Sequence, residues 1–176
     1  MIGSKDLYKS IAEQLRSYKE ISTRHKVTPT HVKLHGQLYN DCFFDSELSE
    51  ICLNAILGIF PEIAIMCQPY SVISNQAKDR GLKVIHEAFI DRKYDSQGIL
   101  ISRSIDNSVI TSMPERIKQA LSIVEKEYVI TDDLTVLKMK ADTLCIHGDE
   151  KEASSTALEV KKALNAVDWQ VSQYAK

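Results

Sequence analysis

Residues 62–89 read EIAIMCQPYSVISNQAKDRGLKVIHEAF, and this stretch decides the fold. After Pro61, EIAIMCQ is an apolar run of strand length. Ser71 to Arg80 then reads as a helix closed by Gly81, a residue suited to the left-handed conformation in which helices often end. KVIHEAF, residues 83–89, is a second short apolar strand. Strand, helix and strand in such close succession form a βαβ unit, whose two strands lie parallel.

Working outward, the same alternation recurs. Ser4 to about Thr23 carries Leu7, Ile11, Leu15, Tyr18 and Ile21, a helical stripe. THVKLHG (30–36) alternates as a strand, with Val32 and Leu34 on one face and Lys33 and His35 on the other. A helix from Asp45, a good N-cap, to Gly58 follows on Leu48, Ile51, Cys52 and Ala55. Beyond residue 89 comes a long polar loop, 91–111. Ser112-Met-Pro-Glu115 then has the form of a capping box opening a helix to about Lys126. YVIT and LTVLKM around Asp132-Asp133 predict a hairpin, TLCIHGD a strand, and Glu150 to Asn165 a last helix. The fold class expected is α/β, with mostly parallel strands flanked by helices, in a single domain over residues 1–176.

Composition narrows the function classes. The chain has 176 residues, 44% hydrophobic and 26% charged, with a formal net charge of −2. That charge offers nothing to attract nucleic acid or an acidic membrane, and no basic stripe with interleaved aromatics occurs. No apolar run approaches the roughly 20 residues needed to span a bilayer, and the N-terminus lacks the apolar core of a signal peptide. Cys42, Cys52, Cys67 and Cys145 form no CxxC pair or zinc-like spacing, and they read as free thiols of a reducing, cytoplasmic compartment.

In parallel α/β folds the chemistry lies beyond the carboxyl ends of the strands. His35 follows the first such strand, Gln68 the second, Glu87 with Asp91 and Arg92 the third, and His147 with Asp149 the fourth. Lys33 and His35 belong either to a site rim or to the solvated face of an edge strand. Glu87, Asp91, Arg92, Tyr94 and Arg103 suit either a clamp on a carboxylate substrate or a structural ion-pair network. His147 suits proton transfer near neutral pH. Asp149 can orient it, or can instead cap the following helix with Glu152 at the capping-box position. Metal binding through His35, His147 and an acid is a weak signal. His25, His31 and His86 read as surface or packing residues.

Three stretches, in order and spacing, resemble one family. VKLHGQLYN (32–40) is similar to its VKPHGALYN motif, and EAFIDRKYDSQGILISR (87–103) to its E-x-F-A-D-R-x-Y followed by D-G-x-L-x-P-R. ADTLCIHGD (141–149) is similar to its C-V-H-G-D signature, and Ser71, Ala77 and Gly81-Leu82 match the intervening segment. On these motifs, across roughly residues 4–165, the chain resembles the LamB/YcsF family. The resemblance implies a (β/α) barrel of the glycoside hydrolase/deacetylase type. It also implies ATP-coupled opening of 5-oxo-L-proline to L-glutamate by 5-oxoprolinase, in which this family forms the A subunit, with partner subunits B and C. Carried over residue by residue, it places His35, His147 and Asp149 at motif positions, and the catalytic role expected of them is our own inference. Lys33, Tyr39, Asn40, Glu87, Asp91, Arg92, Tyr94 and Arg103 become substrate-binding, and no metal ligand is assigned.

Departures are Leu34 for the family's proline, Gln37 and Ile90 for alanines, Ser102 for a proline, and Asn107-Ser108 for a Gly-Ala pair. The family's D-L-N-x-D-x-G-E, A-C-G-x-H-A-G-D and G-A-H-P-x-x-x-D segments do not occur in these 176 residues. A complete barrel needs about 250 residues. The expectation is therefore a C-terminal portion, an incomplete barrel completed by a separate N-terminal half or by self-association into a homo-oligomer. Two alternatives stand beside the enzyme subunit. One is a non-catalytic truncated remnant or assembly subunit, the other a metal-dependent carbohydrate deacetylase relative.

Overall fold

A computed structural model of the chain describes residues 2–149 and 152–173. Two compact units divide it, one up to Ile85 and one from His86 onward.

In the first unit, α1 (Ser4–Arg24) leads to β1 (His31–Lys33), a short α2 (Gln37–Asp41), α3 (Ser46–Leu57), β2 (Ala64–Cys67) and α4 (Val72–Asp79). β1 and β2 run parallel, with His31, Val32 and Lys33 opposite Ala64, Ile65 and Met66. The helix starts follow local chemistry. The Asp45 carboxylate accepts from Leu48 N at 2.9 Å, and Ser71 Oγ accepts from Ser74 N at 3.3 Å; each satisfies a first-turn amide that has no helical partner. Gly81 ends the α4 segment at φ +73°, as its position in the sequence predicts.

The core of this unit gathers Ile11 of α1, Leu53 and Ile56 of α3, Ile65 of β2 and Ile73 of α4, with Leu7 and Leu15 packed against it. The expected α1 stripe is thus only half used. Tyr18 and Ile21 are exposed, while Ala12 and Ser22 are buried. β1 is also shorter than THVKLHG suggested, so His35 lies in the segment after the strand rather than on its face.

The second unit contains most of β3 (Val84–Phe89), then α5 (Met113–Lys126), β4 (Tyr128–Ile130), β5 (Val136–Lys138), β6 (Thr143–Cys145) and α6 (Ala153–Ala166). β3 and β6 are parallel, and β4 and β5 form the expected antiparallel hairpin. The hydrogen-bonded strand order is β1-β2-β3-β6, and the fold class is α/β with parallel strands flanked by helices.

Two local expectations are corrected. Ser112 precedes α5 without a side-chain capping bond, so the capping box does not form, although Pro114 does sit in the first turn. The N-cap of α6 is Glu152, so Asp149 is not the cap; the expected start at Glu150 lies outside the described residues. The segment 91–111 is the expected loop between β3 and α5, exposed over residues 102–107 but buried in part. Asp91, Arg92, Tyr94, Leu100, Ser108 and Ile110 are buried, and antiparallel bridges join Arg92 to Val109 and Tyr94 to Leu100. Folding back on itself gives this connection the backbone partners that burial requires.

Candidate functional site

The pairing of β3 with β6 builds the site. Glu87 stands opposite Thr143 and Phe89 opposite Cys145. Continuing two residues past each strand brings Asp91 and His147 together, because side chains of alternate residues share a face. Asp91 Oδ2 accepts from the His147 backbone N at 3.0 Å and lies 2.8 Å from its ring Nδ1. A carboxylate only accepts, so the imidazole carries its proton on Nδ1 and donates. Nε2 is then the basic nitrogen of the neutral ring, on a side chain that retains 24% exposure.

Asp91 itself is 1% exposed. Burial alone pushes its carboxyl up. The two hydrogen bonds from His147, joined by its positive charge whenever the ring is protonated, outweigh this and hold it below the usual carboxylate range. The imidazole stacks on Phe89, with centroids 5.4 Å apart and planes at 21°. Phe89 is in turn held from α5, where Gln119 Nε2 donates to the carbonyls of Phe89 (2.9 Å) and Arg92 (2.8 Å). Phe89 and Gln119 escaped the sequence reading: an apolar strand residue and a mid-helix glutamine carry no chemical signature.

Around this pair stand two guanidinium groups. Arg92 is buried, and its Nη2 donates to the Ile101 carbonyl. Burial, then repulsion from Arg103, lowers its pKa. Arg103 is half exposed, and its Nη1 donates to Asp149 Oδ2 at 3.0 Å. That bond, first among the causes, holds the Asp149 carboxyl below its ordinary range. Of the two acids near His147, Asp91 orients the ring and Asp149 serves Arg103.

The other residues singled out in this unit have structural surroundings. Tyr94 is fully buried, its hydroxyl accepts from Phe89 N at 2.7 Å, and burial pushes its pKa up. It pins the strand end from beneath. Glu87 is buried within β3. In the first unit, the Lys33 ammonium lies 5.5 Å from the centroid of the buried Tyr39 ring, a cation–π distance. Asn40 is half-buried, and His35 is exposed just before Gly36. Gly36 adopts φ +65° and ψ −141°, a region essentially reserved for glycine. That geometry turns the chain from β1 into α2, which carries Tyr39 and Asn40. Among the described residues no cluster of three or more His, Cys, Asp or Glu is arranged to hold a metal ion. No described helix is long and apolar enough to cross a membrane.

This arrangement has relatives. The model of the LamB/YcsF family matches residues 1–176. Proteins named as the A subunit of 5-oxoprolinase, from Staphylococcus aureus strains bovine RF122 and MRSA252, are each 31% identical over 163 residues, covering 93% of this chain. The chain spans 65% of the length of those relatives. A crystal structure of a lactam utilization protein from Thermus thermophilus superposes with a TM-score of 0.87 at 29% identity, over 98% of this chain and 69% of the other.

Proposed function

Because the chain belongs to the LamB/YcsF family, we propose that it acts as the A subunit of a 5-oxoprolinase, opening 5-oxo-L-proline to L-glutamate with ATP and with partner subunits B and C. The observation that carries this reading is the Asp91–His147 pair, with Oδ2 holding both the backbone N and Nδ1 of the histidine. Hydrolysis of an unstrained lactam needs a water deprotonated as it attacks and a proton delivered to the departing nitrogen. His147 supplies both through Nε2. Asp91, as its positioning residue, fixes the tautomer and stabilises the imidazolium that forms in between. Phe89 limits the ring to one plane. Arg103, exposed beside the pair, suits the substrate carboxylate, and Arg92 supports it from within.

On this reading Lys33, His35, Tyr39 and Asn40 contribute substrate contacts or further proton transfer, as the family resemblance implies. Tyr94 and Glu87 act from below by shaping the strand end. ATP would activate the lactam carbonyl carbon toward water by esterifying its oxygen, with the ring nitrogen as the group that departs on opening. The chain has no glycine-rich loop of the G-x-x-x-x-G-K type to cradle phosphates, so the nucleotide is assigned to the assembled complex and no step here runs through it. A cytoplasmic setting accords with four free thiols. The strands β1 and β6 stand at the two ends of the strand order, and such edges invite a further chain, either a second copy or a separate N-terminal half.

The test is direct. Purified chain supplied with subunits B and C should release glutamate from 5-oxo-L-proline only when ATP is present, and His147→Gln should abolish release. No turnover, even after a separate N-terminal half is supplied, overturns the reading.

A further inference from the structure

Two carboxylates flank His147, and they are used differently. Asp91 is buried and bonded to the ring. Asp149, only two residues beyond His147, turns to Arg103 instead, at 3.0 Å, with the two side chains 64% and 47% exposed. No other hydrogen bond of the Arg103 guanidinium occurs among the described residues. Its neighbours Ser102 and Ser104 bond to each other through their hydroxyls at 2.9 Å, in an exposed turn. The turn thus presents one cation, engaged by one exposed carboxylate two residues beyond the histidine.

We propose that Asp149 is an internal stand-in for a ligand carboxylate: it holds Arg103 beside His147 and yields that guanidinium when a carboxylate-bearing substrate arrives. The identity of the ligand rests on the function proposed above; the exchange itself requires only a carboxylate. Three observations support it. The pair is exposed, so its hold is weak, shifting an equilibrium by no more than about fivefold. Arg92 stays fixed by burial and by the Ile101 carbonyl, so Arg103 is the guanidinium free to change partners. Asp91 is 1% exposed and holds both the backbone N and the ring of His147 through Oδ2, so it stays with the histidine when Asp149 leaves. The incoming carboxylate restores the local charge balance by accepting from the guanidinium in place of Asp149. Asp149 thereby selects for anionic ligands: a neutral analogue gains nothing from Arg103 and leaves the internal pair closed.

The experiment uses the full chain with three probes: 5-oxo-L-proline, its carboxamide 5-oxo-L-prolinamide, and glutarate. Binding to wild type, Asp149→Asn and Arg103→Gln is measured by calorimetry at low and high salt. Asp149→Asn should tighten both carboxylates by up to about fivefold and leave the carboxamide unchanged, and the gain should fade at high salt. Arg103→Gln should remove the preference for carboxylate over carboxamide. Equal tightening of the carboxamide, or no tightening of either carboxylate, overturns the exchange. The same holds if Asp149→Asn binds no carboxylate at all. Glutarate responding while 5-oxo-L-proline fails to bind keeps the exchange and removes the proposed substrate. Binding of 5-oxo-L-proline equally to wild type and Asp149→Asn does the reverse.

Discussion

Replacing Asp91 by asparagine isolates what its negative charge does. The side chain keeps its shape, and an amide oxygen can still accept from His147, so little repacking follows. What changes is that two charge-assisted hydrogen bonds, at 3.0 and 2.8 Å, become neutral ones. Hydrogen bonds to charged groups contribute roughly 1.5–3 kcal/mol and neutral ones about 0.5–1.5 kcal/mol. Part of the loss is offset because a buried neutral amide is cheaper to desolvate than a carboxylate. The net cost near pH 7 is about 1–2 kcal/mol, which lowers the melting temperature by roughly 2–8 °C in a chain of this size.

The pH dependence identifies the source. The folded Asp91 has a pKa below its unfolded value, so the native state binds that proton less readily. Its contribution is complete above the unfolded pKa of about 3.9 and disappears as pH falls through the lower folded value. Thermal melts of both proteins from pH 7 down to pH 2.5 should therefore show a gap that closes below about pH 4. A gap that persists at the lowest pH, or none at pH 7, refutes the assignment. In the reconstituted hydrolysis assay the same variant should lose about 10²-fold or more in kcat, since it no longer stabilises the imidazolium.

Other perturbations separate structural from chemical roles. Tyr94→Phe removes the acceptor for the Phe89 amide and should cost about 1–3 kcal/mol in urea unfolding, with substrate affinity per folded molecule unchanged. Arg116, 2% exposed, donates from Nε to the Ile110 carbonyl and from Nη1 to Thr156 Oγ1. Arg116→Met leaves both acceptors buried without those donors and should destabilise by about 2–4 kcal/mol. An added Cβ at Gly36 meets no atom within 4 Å, so Gly36→Ala should cost only backbone strain, about 1–3 kcal/mol. Faster amide exchange should then be confined to α2.

The alternation of strands and helices was legible because each element satisfies its own rule: an apolar run of strand length, a capping aspartate at Asp45, a terminating glycine at Gly81. The convergence of Asp91, Arg92 and His147 at strand ends was legible too, since parallel pairing dictates where such residues emerge. What could not be read was which acid serves which base. Asp149 is two residues from His147 in the chain, whereas Asp91 is 56 positions away yet bonded to it. Chain proximity favours the wrong carboxylate because only the β3–β6 register decides the matter. The partial burial of the loop 91–111 was hidden for a related reason: its polar composition gives no sign that Arg92 Nη2 reaches the Ile101 carbonyl or that the Tyr94 hydroxyl accepts from Phe89 N.

That register has a consequence for how the site is inherited. Phe89 opposes Cys145, and the histidine and its aspartate each lie two positions further on, so the pair is specified by a count along two strands rather than by either loop. One residue inserted between Cys145 and His147 would turn the imidazole to the opposite face of the sheet, with every side chain retained. The chemistry is in this sense a vernier, readable only while two short strands stay aligned, and an insertion or deletion at this strand end should be more damaging than many substitutions nearby.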